Sequence, residues 1–218
     1  MDIDISKLSE DEIRLLKLKL KGVSKYKKKG VYREKEIATR YFNPDEWEMF
    51  IYKIEPNLRF YYWFLMLTGA RYKEAKNIKV KHIDFKNKQI IIVEPKGGKI
   101  MRYVQLSSYT VKLIKQYIAD NNIKDDDTFN FKTIQHLIQT MKKTCKQEGL
   151  SNWQDFSVHN LRKTHENYLR TLDLDVNRIT QHMGHTMKTA MNHYLSSAFI
   201  KDKKQLDKIR VWLGDIFG

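Results

Sequence analysis

Cysteine is almost missing from this chain of 218 residues: only Cys145 is present. That excludes an intrachain disulfide and any cysteine-based zinc site. Long hydrophobic runs are missing as well. No stretch approaches the ~18 apolar residues needed to cross a bilayer, and the longest, Phe60 to Leu67, is aromatic-rich and runs into Thr68-Gly69, which suits a buried helix. The opening Met1-Asp2-Ile3-Asp4 has neither a basic n-region nor an apolar h-region, so secretion is not expected and the compartment reads as cytoplasmic. There is no internal repeat and no low-complexity segment. Acid is the scarce charge, with 26 Asp and Glu against 41 Lys and Arg, a formal net charge of +15.

What remains is an ordinary globular composition, 41% hydrophobic, long enough for one domain and a small appendage. The excess positive charge attracts polyanions, because neutralising phosphates releases condensed counterions. Three regions are expected. Residues 1–42 hold a helix over 9–21, with Ser9 and Glu12 as a capping box, and then a basic tract. From Lys21 to Arg40 that tract carries eight Lys or Arg and two acids. Lys25, Lys27, Lys28, Lys29 and Arg33 read there as a DNA-binding arm, a solvated spacer being the equal alternative. A compact domain begins near Asn43, where Asn43 as N-cap, Pro44 and Asp45-Glu46 make a strong helix start. It extends over 43–200, and 201–218 forms a C-terminal helix.

Within the domain the pattern predicts a helix from about Leu58 to Gly69 with Tyr61, Phe64 and Leu65 in the core, and a short helix from Arg71 to Ile78. Strands at 89–93 and 101–106 flank Glu94-Pro95-Lys96-Gly97-Gly98-Lys99, a hairpin turn. Helices follow at about 108–121, 131–148, 157–172, 175–183 and 186–193, with a last one near 201–214. The fold class is mainly α with a small antiparallel β-hairpin or sheet.

Several side chains carry possible chemistry. Arg71 stands at a helix start, where N–H groups and the dipole favour an anion, and Glu74 is placed to hold its guanidinium; the bland alternative is a surface ion pair of little worth. Lys96 lies at the hairpin tip, with Lys99 as the alternative lysine. His159 and Arg162 are three residues apart on a helix capped by Ser157, with Val158, Leu161, Tyr168 and Leu169 as core. A bidentate arginine suits a phosphate oxygen. His185 follows Gly184 and precedes Tyr194 by nine residues. A metal site would use His182 and His185, with His193 as an optional third ligand, yet no Asp or Glu lies between 176 and 201 and Arg178 and Lys188 are close, so no metal is expected. Tyr194, with a phenol pKa near 10 in isolation, needs cationic surroundings to act as a nucleophile, and these arginines and histidines would supply them. Together the set suggests metal-free phosphoryl transfer on nucleic acid.

In order, Leu-Thr-Gly-Ala-Arg71-Tyr-Lys-Glu74-Ala, Pro-Lys96-Gly-Gly-Lys99, His159-Asn-Leu-Arg162-Lys-Thr-His, Met-Gly-His185 and Asn-His-Tyr194 resemble the tyrosine recombinase family of phage and Xer-like integrases, over roughly residues 43–200. The tail bears a fainter likeness to archaeal viral integrases. The resemblance implies the tyrosine recombinase catalytic-domain fold and an integrase of a mobile element, virus or plasmid that recombines double-stranded DNA. Tyr194 would attack a phosphate to give a 3′-phosphotyrosyl link. Arg71 and Arg162 would clamp the non-bridging oxygens, His159 would be the acid–base site, Lys96 the acid for the 5′-oxygen and His185 a further donor, with Glu74 supporting Arg71. No cofactor would be required. It further implies a tetramer of this chain on DNA, with the 201–218 tail docking on a neighbouring subunit. Family members carry about a hundred residues of DNA-binding domain upstream, against some 42 here, which suggests a minimal recombinase or a fragment. The competing readings are a non-catalytic DNA-binding regulator and a type IB-like relaxing topoisomerase.

Overall fold

A computed structural model gives the structure of residues 40–93, 100–184 and 200–217. The helix expected over 9–21, the basic arm with Lys25, Lys27, Lys28, Lys29 and Arg33, the turn bearing Lys96 and Lys99, and the segment with His185, His193 and Tyr194 lie outside the described residues.

The first described helix, α1 (Pro44–Lys53), starts where the sequence says it should. Asn43 Oδ1 accepts the Glu46 N–H at 2.8 Å while Glu46 Oε2 accepts the Asn43 N–H at 3.0 Å, a reciprocal cap that satisfies two orphan donors. Helix α2 (Pro56–Thr68) buries residues all round its surface, so it forms the axis of the domain. It ends at Gly69 in the left-handed region, φ +60°. The short α3 (Tyr72–Asn77) follows, then a single 3-10 turn at Val80–His82.

The sheet has three antiparallel strands in the order β1-β2-β3: β1 (Ile83–Asp84), β2 (Gln89–Val93) and β3 (Ile100–Gln105). Ile90 pairs with Val104 and Ile92 with Arg102, so these four residues share one face, on which Ile90, Ile92 and Val104 are buried. The two-residue β1 adds a third strand to the expected hairpin. Ile83-Asp84 is too short for any periodicity to show.

Four more helices enclose the core: α4 (Ser108–Asn121), α5 (Ile134–Gln147), α6 (Val158–Thr171) and α7 (Val176–Met183), and α8 (Lys203–Leu213) closes the described chain. Helix α2 packs on α6 and α4, α7 on β3 and α6, and α8 on α4, α1 and α6. Aromatic rings fill the centre: Phe60 stacks on Tyr117 at 3.5 Å, Phe42 on Phe156 at 4.2 Å, and Trp63 meets Trp212 edge-on at 5.6 Å. Among the described residues no helix is long and apolar enough to cross a membrane.

The chain entering the domain is fastened to α6. Phe42 N–H donates to Thr164 Oγ1 at 3.0 Å, Tyr168 Oη to the Phe42 carbonyl at 3.0 Å, and Asn160 Nδ2 to the Arg40 carbonyl at 2.6 Å. Thus Asn160, Thr164 and Tyr168, each one turn after the last along α6, hold the entrance of the domain.

Candidate active site

Two left-handed glycines prepare the site. Gly69 ends α2 and Gly184 ends α7, each with φ +60°. A Cβ at Gly69 would stand 2.5 Å from His165 Cδ2, and one at Gly184 would stand 2.8 Å from Arg102 Cδ. Both positions therefore need glycine for conformation and for space. The turns they make aim the C-terminal carbonyls of α2 and α7 at one point, where the two negative helix ends favour a cation.

Arg162 occupies that point. Its guanidinium is buried, with 3% of the residue exposed; Nη1 donates to the Gly69 carbonyl at 2.5 Å and Nη2 to the Met183 carbonyl. Among the described residues no carboxylate contacts it. Burial first, then the charges of Arg71 and Arg102, push its pKa down to about 9, with Glu74 and Glu166 opposing. Glu166, one turn further along α6, is itself paired with Arg170 at 2.5 Å. His159 stands on the exposed side of the first turn of α6. Ser157 is the N-cap residue, but the cap runs in reverse: Asn160 Oδ1 accepts from the Ser157 N–H at 2.8 Å and from its hydroxyl at 2.7 Å.

Arg71 begins α3. Its backbone N–H donates to Glu74 Oε2 at 2.7 Å, its Nη1 to Glu74 Oε1 at 2.8 Å and its Nη2 to the Gly184 carbonyl at 3.3 Å. The side chain is 47% exposed. The pair is thus more than an isolated surface ion pair, since Glu74 is mostly buried and is shared with a second arginine.

That second arginine, Arg102 on β3, escaped the sequence reading. Its Nη2 donates to Glu74 Oε2 at 2.9 Å, its Nη1 lies 3.2 and 3.3 Å from the two Glu74 oxygens, and its Nε donates to the His182 carbonyl at 3.1 Å. Burial lowers its pKa against the opposing pull of Glu74. The signal was present: strand alternation puts Arg102 on the inward face with Val104 and Ile92, where a charged side chain needs a partner.

His165 and His182 also went unread. His182 Nδ1 accepts the Gln105 N–H at 3.3 Å, so its Nε2 carries the proton and donates to His165 Nε2 at 2.9 Å. Both rings are buried and neutral. Desolvation, then the facing His182 and the Arg162 charge, hold His165 well below its usual value, while burial and the Arg102 and Arg162 charges push His182 down to about 3. With both ring nitrogens engaged, His182 has no lone pair free for a metal. An open groove lined by Arg102, Gln105, Arg178 and Gln181 adjoins the cluster.

The arrangement therefore gathers three guanidiniums, of which Arg71 and Arg102 share the Glu74 carboxylate while Arg162 is held by the Gly69 and Met183 carbonyls. Two positive charges are left over, and the available chemistry is binding of an anion with several oxygens.

Residues 40–200 match the model of the phage integrase family. A protein of Acholeplasma phage L2 named as a probable integrase/recombinase is 32% identical over 126 residues, covering 56% of this chain and 43% of its own length. Among solved structures, the XerH site-specific recombinase bound to its difH substrate superposes with a TM-score of 0.57 at 22% identity, covering 71% of this chain and 49% of that one. The Tn1549 transposon integrase in complex with transposon right end DNA gives 0.60 at 17% identity, with 83% of this chain and 67% of that one covered. The chain spans about half the length of the phage L2 and XerH relatives. At these identities the structural likeness establishes the fold, a mainly helical domain with a small antiparallel sheet.

Proposed function

This chain belongs to the phage integrase family, and from that premise we propose that it is a site-specific DNA recombinase, cutting and rejoining duplex DNA through a covalent tyrosyl–phosphate link. The observation that carries the proposal is the gathering of three guanidiniums where α2 and α7 end beside β3, Arg71 and Arg102 on the Glu74 carboxylate and Arg162 on the Gly69 and Met183 carbonyls. A phosphodiester in transit through a pentavalent state gathers charge on its non-bridging oxygens, and fixed donors in a partly buried site stabilise it. Each such donor is typically worth about 10²–10³ in rate.

In this proposal Arg71 and Arg162 hold the non-bridging oxygens. The Tyr194 phenol oxygen forms a bond to phosphorus while the bond to the 5′-oxygen breaks. His159 accepts the phenol proton, Lys96 protonates the leaving 5′-oxygen and His185 adds a further donor. Rejoining runs the same steps backwards. The phosphotyrosyl ester conserves the energy of the broken phosphodiester bond, so rejoining requires no nucleotide cofactor. The Tn1549 integrase is in complex with transposon right end DNA and the XerH recombinase is bound to its difH substrate, which supports duplex DNA as the substrate. Assembly of several copies on the DNA, the 201–218 tail included, and action in the host cytoplasm belong to the same proposal.

The test is a pool of nicked duplexes with a randomised central window, in which a cleaved strand end diffuses away and traps the covalent adduct. The full chain should accumulate adduct selectively on recovered sequences. Tyr194→Phe should bind the same duplexes and form none. An adduct in Tyr194→Phe, or none in the folded, DNA-bound wild-type chain, would overturn the proposal.

A further inference from the structure

We infer that Arg102 is a positioning residue for strand cleavage: it fixes the Glu74 carboxylate, and through it the Arg71 guanidinium, and braces the Met183–Gly184 turn. The inference rests on the recombinase reading and deepens it.

Arg71 is the half-exposed member of the cluster, on a side chain with several free torsions. Held only by Glu74 across one helical turn, it would lose much of its value as a clamp to side-chain entropy. Arg102 is the opposite case. Its side chain is 9% exposed and rises from the inward face of β3, so its position is set by the sheet. Its fork reaches both oxygens of Glu74, while its Nε is spent on the His182 carbonyl. The carboxylate is thereby pinned in the orientation in which it meets the Arg71 backbone N–H and Nη1.

The same side chain supports the second turn of the site. Arg102 Cδ stands 2.8 Å from where a Cβ on Gly184 would fall, and Nε donates to the carbonyl two residues before that glycine. Gly184 in turn accepts from Arg71 Nη2, and Met183 accepts from Arg162. One buried guanidinium therefore touches the supports of both clamp arginines. With Nε and both Nη atoms of its guanidinium donating to the His182 carbonyl and Glu74, Arg102 acts through these neighbours and not on a phosphate directly. A lysine cannot reproduce the fork.

The experiment measures single-turnover adduct formation at saturating DNA, together with DNA affinity and melting temperature. The full chain is compared with Arg102→Gln, Arg102→Lys, Glu74→Gln and the double variant Glu74→Gln/Arg102→Gln, on the nicked duplex recovered from the pool. Arg102→Gln should keep its DNA Kd within about threefold yet cleave ~10- to 100-fold more slowly, the scale of a small misplacement of reacting groups. In the Glu74→Gln background the same substitution should cost several-fold less than in the wild-type chain, because the route through the carboxylate is already gone and only the bracing of the Met183–Gly184 turn is left to lose. If Arg102→Gln melts early, Arg102→Lys carries the test: slower cleavage at native melting temperature supports the inference. A wild-type rate in either single variant overturns it, as does a loss confined to Kd or a fully additive double variant. Absence of adduct from the wild-type chain would overturn the recombinase reading itself.

Discussion

His165 and His182 sit neutral beneath the arginine cluster, each with its pKa held below the ordinary value near 6.5. Above that value neither the native nor the unfolded chain binds a proton there, so the pair has no effect on the pH dependence of stability. Below it the unfolded chain takes up protons that the native state refuses, and stability falls as pH drops from 6.5 towards the native His182 value of about 3. The expected slope is about 1.4 kcal/mol per pH unit for each histidine. Urea titrations across this window should show a shallower acid limb in His182→Gln than in wild type; parallel limbs would refute the buried neutral pair. The two glycines Gly69 and Gly149 offer a matched comparison, since both have positive φ but only Gly69 has a neighbour in the way. Gly149→Ala should cost about 1–2 kcal/mol from backbone conformation alone. Gly69→Ala should cost about 1–3 kcal/mol more, because the new methyl meets the His165 ring. Equal losses in the two melting curves would show that the ring yields. At this scale the reading of residues was uneven. Arg71 with Glu74 was legible because a helical i, i+3 pair is a local pattern, whereas Arg102 lies 28 positions from Glu74 and the distance hid it.

Helix ends were the most legible elements, because caps are chemistry of four or five consecutive residues. The sequence places α4 at 108–121, and Ser107 Oγ accepts the Thr110 N–H at 3.1 Å at that very start. Helix α5 is shorter than its expected 131–148, because Thr133 caps it and Phe131 turns into the core before it. The 3-10 turns at Val80–His82 and Trp153–Asp155 went unread, being shorter than any period. The clearest element-scale surprise is how α8 is tied down. Asp215, just beyond it, accepts from the Ser108 N–H at 3.0 Å, from the Ser108 hydroxyl at 2.5 Å and from Lys88 Nζ at 3.0 Å. Burial opposes its ionisation, but these hydrogen bonds hold its carboxyl below the usual range. Ser107 Oγ also donates to the Trp212 carbonyl at 2.5 Å, so the first turn of α4 is joined to the far end of the chain. Asp215→Ala should lower stability by about 1–2 kcal/mol, discounted for its partial exposure, and should speed hydrogen exchange in α8 more than in α2. Unchanged exchange in α8 would remove Asp215 as its anchor.

For the whole molecule the governing quantity is charge. A formal +15 on 218 residues predicts duplex binding that weakens linearly with log salt, at ~0.9 per phosphate neutralised. Arg71→Ala should reduce that slope by about one if Arg71 meets a phosphate. Duplex affinity that does not change with salt would contradict a phosphate-binding site. The amino-acid sequence by itself determined the charge, the mainly helical architecture with its hairpin, most element boundaries, and the order of Arg71, His159 and Arg162 along the chain. All of these follow from composition or from interactions within a helical turn or strand pair. Only the tertiary structure decided that Arg162 is buried between two helix ends, 93 residues from Gly69 and 21 from Met183, that Arg102 shares Glu74, and that two histidines stack unprotonated below them. Those contacts exist because α2 packs on α6 and α7 on β3, and packing between distant segments depends on the shape of the whole core, which no local pattern records.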